Sequence, residues 1–477
     1  MLLAKKQFLV NTLGRVKFFL KWLLGPLLSL SFLVFVETTL NPPQHRLVGI
    51  LIWVVLWWIT QPISLSATGL LGVSLAVALG VSDFNNAFGG FSHKVIFLLI
   101  GTFFLAEAMK VHRVDRAITY RVLSLNVIQN RPRLALFTIL SLAGILSWWF
   151  SATATTAMLV PIAMGLFPAL KSRIPLAVAY ATALGGIAFP LGANPNILCR
   201  ALVEQQLQIK IGFLEWMKPG LIVSGLSIAG MYLLLFGFKP IVVQKSNLKI
   251  EPLTGSQKNT LGALFLLTLL WIGPSLMRPF FGENPLFLQN FEKFFPEAIS
   301  ALLVGTILFC LPWREKRNSA WKPTLTWDQA KLIDWNVILM VGAGLSIGTL
   351  IFKTGLAEIL AEMAVRLGGN SPSFIIAVGL IFVATLLVTE VTSNTATGEV
   401  MLPLAIAMAV KMNQDPVIIA MGVAFIASLG FVIPAATPPV AVALSIPEVK
   451  KSESIKFGAI IDFYAFVIIF LVVNLFK

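Results

Sequence analysis

Charge is what this chain of 477 residues has least of: 12% of its residues are Asp, Glu, Lys or Arg, and only 21 are acidic. A water-soluble domain needs about a quarter of its residues charged, so an ordinary soluble surface is excluded. Cysteine is nearly absent, and Cys199 and Cys310 lie in or beside apolar segments without metal-ligand spacing. That rules out a disulfide framework and leaves two free, structural thiols. His45, His93 and His112 are scattered and form no metal constellation. There is no His-Glu-x-x-His and no pair of catalytic aspartates in an apolar segment, which argues against an enzyme.

What is present in excess is apolar surface: 57% of the residues are hydrophobic, with 36 Phe and 12 Trp. The bilayer must then act as solvent, and stretches of about 20 residues should hide their backbone polar groups in helices. Trp53, Trp57, Trp58, Trp148 and Trp149 fit interfacial belts. The net charge of +15 comes from basic residues placed between apolar segments, with no arm or stripe for nucleic acid. Topology explains it instead.

Apolar segments fall near residues 22–36, 47–59, 63–79, 95–109, 134–168, 175–207, 214–238, 259–275, 297–312, 335–352, 371–410, 415–445 and 455–476. Those at 134–168 and 371–410 are too long for one span, and each is broken by a Ser/Thr-rich patch. Reading both as re-entrant hairpins with a cytoplasmic N-terminus puts about two thirds of the 36 Lys and Arg inside, as the positive-inside rule requires. Lys110, Arg113, Arg116, Arg121, Arg131 and Arg133 share one such loop, and Arg314, Lys316, Arg317, Lys322 and Lys331 another. The leader, with Lys5, Lys6, Arg15, Lys17 and Lys21, ends in no small-residue cleavage site and reads as retained in the cytoplasm. The expectation is an all-α polytopic membrane protein of about eleven transmembrane helices plus two hairpins. Its C-terminus lies outside, and the lack of a Ser- and Arg-rich presequence favours a bacterial inner membrane.

The chain also repeats itself. Ser151-Ala152-Thr153-Ala154-Thr155 and Pro161 match Ser393-Asn394-Thr395-Ala396-Thr397 and Pro403 at a constant offset of 242 residues, as do Val95-Ile96 and Val337-Ile338. Pro190-Leu191-Gly192-Ala193-Asn194-Pro195 aligns with Pro434-Ala435-Ala436-Thr437-Pro438-Pro439 further on. With an odd number of spans per copy the second is upside down, giving inverted repeats at 45–240 and 259–477. Residues 1–44 form the leader and first span, and 241–258 a cytoplasmic linker.

Half-helix N-termini offer free N–H donors and positive potential to an anion, while carbonyl oxygens freed at Pro-containing breaks suit Na+. Glu390, next to the second tip, is expected to orient it or carry a proton, with a structural role ahead. Glu107 and Glu399 are weaker candidates.

At these paired tips and breaks the chain resembles the divalent anion/sodium symporter family, carriers of dicarboxylates, citrate or sulfate, from about residue 45 to the C-terminus. The resemblance implies a homodimer in which a transport domain slides like an elevator against a scaffold in the lipid bilayer. It places one cation site on Ser147, Ser151 and Gly192, and the other on Thr389, Ser393, Asn394 and Ala436. Substrate contacts fall on Thr153, Asn394, Thr395, Thr437 and Pro438, and Asn194 is a further candidate. The first half departs from the family's pattern at Ala152, where Asn is usual, and at Ala193-Asn194, where Thr-Pro is common. Alanine neither donates to a carboxylate nor binds a cation, so the first site is weakened unless Asn194 returns an amide.

The implied function is secondary transport of a small divalent anion, most readily a C4 or C5 dicarboxylate, by Na+ symport with one or two ions or by Na+-independent exchange. Sulfate or another inorganic oxyanion is the alternative within the family. An anion channel is the alternative outside it.

Overall fold

The computed structural model describes residues 19, 21–237, 240–244, 251–281, 285–315, 320–367, 374–433 and 436–476. Lys5, Lys6, Arg15 and Lys17 of the leader lie outside them, as do Lys316, Arg317, Pro434, Ala435 and residues 245–250 and 371–373.

Helices α1 (Lys21–Phe35), α2 (Pro42–Thr60) and α3 (Leu65–Ala78) open the described chain. Asn41 caps α2 in a reciprocal box with Gln44, and Ser64 caps α3, each supplying the acceptor that a first turn lacks. α4 (Lys94–Val111) bends by 63° into α5 (Val114–Leu123). A hairpin of α6 (Pro132–Leu146) and α7 (Ala152–Leu166) follows, then α8 (Ile174–Gly186), a break, α9 (Asn194–Leu207) and α10 (Phe213–Phe236). The second half runs through α11 (Gly255–Phe281), α12 (Leu286–Phe294) and α13 (Glu297–Cys310) to α14 (Trp335–Lys353) and α15 (Leu356–Leu367). A second hairpin, α16 (Phe374–Val391) and α17 (Asn394–Lys411), leads to α18 (Pro416–Ala427), another break, α19 (Pro438–Leu444) and α20 (Lys451–Leu475). Among the described residues the only strands are the two-residue pair Pro312–Trp313 and Lys322–Pro323.

Length separates two kinds of helix. α10, α11, α14 and α20 are long and apolar enough to cross a membrane. α6 and α7 have 15 residues each, or roughly 22 Å at 1.5 Å per residue. That falls short of a hydrocarbon core about 30 Å thick. α8 and α9, with 13 and 14 residues on either side of their break, are equally short. Pro161 and Pro403 sit inside α7 and α17, where each removes one N–H donor.

Matched helices of the two halves exchange partners. α7 packs on α19 and α17 on α9, α4 packs on α13 and α14 on α3, and α10 lies against α20. Such reciprocal pairing is what a two-fold relation between halves produces. Small residues permit it: a Cβ on Gly305 would lie 2.5 Å from the carbonyl oxygen of Gly101, so α4 and α13 touch backbone to backbone. Outward, Phe265, Leu276, Leu387, Phe463 and Leu471 are each more than half exposed, an apolar belt that water would not tolerate.

Not every tryptophan belongs to that belt. Trp148 donates its indole N–H to the Gly185 carbonyl at 2.9 Å and stacks on Phe189, and Trp149 stacks on Trp271. Both wedge the first hairpin against its neighbours instead of marking an interface with water. Cys199 is a buried free thiol and Cys310 an exposed one. Gly344-Leu345-Ser346-Ile347-Gly348 matches the Gly-x-Ser-x-Gly spacing of hydrolases but lies within α14. Its Ser346 is buried and accepts the Gly90 N–H at 3.2 Å, so the strained strand-to-helix turn that exposes a nucleophile is missing.

Candidate functional site

Each hairpin tip is built by the residue that starts its returning helix. Ser151 caps α7, its hydroxyl accepting the Ala154 N–H at 3.1 Å, and Ser393 caps α17 through Ala396 at 3.2 Å. The remaining first-turn N–H groups lack acceptors within their own helices, as at any helix start, and are available to a ligand. Beneath the caps, Thr156 bonds Thr182 at 3.0 Å and Thr392 bonds Thr397 at 2.7 Å, tying the tips to their supports.

The tips differ in what they offer. In the second, the buried Thr389 hydroxyl lies 2.9 Å from the Ala427 carbonyl and 3.2 Å from the Asn394 amide oxygen, so three oxygens converge. In the first, the Ser147 hydroxyl donates to the Gly144 carbonyl at 2.6 Å, and position 152 contributes a methyl group. Ser147, Gly186 and Gly192 still meet: a Cβ on Gly186 would lie 2.7 Å from the Gly192 carbonyl oxygen and 3.8 Å from the Ser147 hydroxyl. Asn196 adds to this group. Its amide nitrogen donates to the carbonyls of Gly186 (3.0 Å) and Phe189 (2.9 Å), and its buried Oδ1 has no hydrogen-bond partner.

The breaks are held differently as well. After α18 the chain turns at Gly430, whose φ of 98° belongs to glycine's range and whose Cα sits against the Thr389 carbonyl. Four successive N–H groups then need acceptors, and two carboxylates supply them. Asp462 of α20 takes Gly430 at 3.2 Å and Phe431 at 2.7 Å, while Glu390 takes Val432 and Ile433 at 3.1 Å each. Thr437 closes the loop by donating to the Gly430 carbonyl at 3.0 Å. Glu390, expected to orient the tip, instead holds the break packed beside it. Asp462 escaped sequence reasoning, although a lone Asp inside a 25-residue apolar helix is a signal in its own right.

One hydrogen bond joins the first break to the second tip. The Asn194 amide donates to the Thr395 hydroxyl at 2.8 Å, and Pro195 packs against Gly398 on the next turn. Asn194 therefore reaches the second tip, not the gap at Ala152. Ala436 and Thr437 are buried, Pro438 is exposed and Thr153 half-buried, the last two without a side-chain hydrogen bond among the described residues.

The model of the sodium:sulfate symporter transmembrane region matches residues 23–477. The chain belongs to that family. It is a family of membrane transporters, and membership agrees with the apolar belt. Among its relatives, the sodium-dependent dicarboxylate transporter SdcS of Staphylococcus saprophyticus is 26% identical, covering 94% of this chain and 90% of the relative. The protein of the same name from Staphylococcus aureus is 27% identical over 94% of this chain and 89% of its own length. An uncharacterized transporter of Haemophilus influenzae is 27% identical, covering 90% and 91%. The solved structure of Neisseria gonorrhoeae MtrF shares the fold, with a TM-score of 0.53 and 13% identity over 92% of this chain and 96% of that one.

For a sodium:sulfate symporter relative the donor sets are informative. Na+ prefers hydroxyl, amide and carbonyl oxygens, and Thr389, Asn394 and the carbonyls around them supply such a set. Ser147, Gly192 and the unpaired Asn196 Oδ1 supply a second, poorer by the amide that Ala152 lacks. Glu107 is paired with Lys110 at 3.1 Å and takes no part. A cleft between α4, α9 and α13 is crossed by ion pairs that residue order alone does not reveal. Lys94 meets Glu204, and buried Arg200 meets Glu297 at 2.8 Å while also bonding the Ile211 carbonyl.

Proposed function

We propose that this chain is a secondary transporter of small divalent anions, most readily C4 or C5 dicarboxylates, working by Na+-coupled symport. The reading is carried by the hydrogen bond from Asn194 to Thr395, which makes one half's break and the other half's tip parts of a single site. The anion is held by Thr153, Asn394, Thr395, Thr437, Pro438 and Asn194, with the free N–H groups of α7 and α17. Na+ is held by Thr389, Ser393, Asn394 and Ala436, and less completely by Ser147, Ser151 and Gly192. Each ion offsets part of the anion's charge, so anion and cation are carried together.

Supporting this, the two staphylococcal relatives named above are sodium-dependent dicarboxylate transporters. Alternating access follows from inverted repeats at 45–240 and 259–477, eleven spans and two hairpins, with the tips moving as an elevator in a homodimer. The N-terminus is cytoplasmic and the C-terminus outside, in a bacterial inner membrane. Sulfate is the second reading, favoured by Ala152, which leaves one amide fewer for a second carboxylate.

The test is uptake of labelled succinate and labelled sulfate by proteoliposomes, with and without an inward Na+ gradient. Saturable, Na+-stimulated succinate uptake with counterflow of preloaded anion is expected. Current without counterflow would indicate a channel, and no transport of either anion under any gradient overturns the reading.

A further inference from the structure

One ionisable group near the site has no part in it. Glu399 lies on α17, four residues past Thr395 and therefore on the same helical face, one turn below the second tip. It is 1% exposed, and neither carboxyl oxygen has a hydrogen-bond partner. The carboxyl lies flat against α14 at Gly344, where a Cβ would stand 2.8 Å from its Cδ. One turn on, a Cβ on Gly348 would meet Leu202 of α9 at 2.7 Å, so apolar packing closes the space around it.

No opposite charge stands ready for it. α17 packs on α2, α9, α14, α15, α16 and α18, and the ionisable groups on these are engaged or distant. On α9, Arg200 is bound to Glu297 and Glu204 to Lys94. On α16, Glu390 holds Val432 and Ile433. On α2, His45 bonds Thr38 and Arg46 the Leu79 carbonyl. α14 carries Lys353 at its far end, bonded to Asn86, and Asp334 as its cap. α15 has exposed Glu358 and Arg366, and Glu362 paired with Lys411, while α18 has only its cap Asp415. The matched position in the first hairpin is Ala157, so the repeat itself does not call for a carboxyl here.

We propose that Glu399 is a proton-binding site and that a proton carried on it accompanies the anion. The inference rests on the alternating-access reading above. An ionised carboxylate with no partner costs several kcal/mol to hold in a dry interface, whereas the neutral acid crosses it freely. The loaded tip carries the anion's charge as well, so its movement along α14 requires the acid form, and the emptied tip returns with the carboxylate ionised, which closes the cycle. On one side the carboxylate takes a proton from hydronium, leaving water, and on the other it returns that proton to water. Only an O–H bond forms and breaks. The proton replaces the cation charge that the first half, lacking an amide at Ala152, holds less well.

The test uses the full chain in proteoliposomes loaded with a pH-sensitive dye, at constant Na+, with protein-free vesicles as the background. Labelled succinate or sulfate influx should acidify the lumen, and on the alkaline limb uptake should fall about tenfold per pH unit, the slope of a single proton. Glu399→Gln, a permanent mimic of the neutral acid, should lose both the acidification and the slope. Persistence of either in that variant, or pH-independent uptake by the unaltered chain, overturns the proposal. Infrared difference spectra of the purified protein between two pH values provide a readout that needs no transport. A carboxyl band that titrates and is missing from Glu399→Gln supports the proton site even if neither anion is carried, an outcome that would defeat the transport reading alone. Absence of that band defeats the proton site whatever the transport result.

Discussion

Replacing Asn394 with alanine removes two interactions at once. Its amide oxygen, 3.2 Å from the Thr389 hydroxyl, is one of the converging oxygens of the second tip, and its amide nitrogen is free to donate to the anion. A neutral hydrogen bond contributes about 1 kcal/mol and one to a charged group about 1.5–3 kcal/mol. Together they amount to about 3 kcal/mol, or about 100-fold in the two affinities combined. Asn394 is only half-buried at the start of α17, and the cap at Ser393 is untouched, so folding should survive. The assay is succinate uptake titrated with both succinate and Na+, alongside a thermal unfolding measurement in detergent. The Na+ titration should move by about fivefold and the succinate titration by about 10- to 100-fold, while the unfolding temperature holds within a few degrees. Uptake within threefold of the unaltered chain would refute the assignment, and so would a loss matched by collapse of stability.

Ala152→Asn should restore the missing amide at the first tip and raise Na+ affinity by about tenfold, the worth of one such bond; an unchanged Na+ titration would mean that this site does not bind the ion. Arg200→Ala leaves Glu297 with only Lys210, at 4.0 Å, and strips the Ile211 carbonyl of its guanidinium donor, and should cost about 1–3 kcal/mol of stability, read as a lower unfolding temperature. Asp462→Ala strips acceptors from the N–H groups of Gly430 and Phe431, at about 1–3 kcal/mol each, and should lower both stability and uptake, with Asp462→Asn falling between.

Much of the architecture was legible because it is written in periodicity and repetition. Ser151 and Ser393 stand 242 residues apart in sequence and both cap returning half-helices in the structure. Each segment too long for one span folds as two helices, of 15 residues each in the first and 18 each in the second, joined at the Ser cap that the Ser/Thr-rich patch marks. What stayed hidden was the partner of each polar group. Nothing in the order of residues says that Asn194 would donate to Thr395, or that Asp462 would hold a loop more than thirty positions away. Trp148 looked like a belt residue because an indole suits both an interface and a packed hairpin. The Gly344-to-Gly348 spacing imitates a nucleophile elbow because glycines that let helices touch are the same residue that tight turns use.

The two halves share a frame but not its chemistry, and the difference has a direction. At matched positions Asn394 faces Ala152 and Glu399 faces Ala157. Four N–H groups of the second break are held by carboxylates, while carbonyls at the first break are held by neutral donors, the Asn196 amide and the indoles of Trp148 and Trp216. A break pinned by two carboxylates keeps its carbonyls in fixed directions, as selective cation binding demands. One held by neutral donors is bound less tightly per bond and shifts more readily. Ion selection should therefore reside in the second half and adaptation to the anion in the first. Exchanging Ala152 and Asn394 for each other separates these roles: if selection follows the break, the exchanged chain should keep its preference for Na+ over Li+ while losing affinity, and a preference that moves with the asparagine would place selection in the tip.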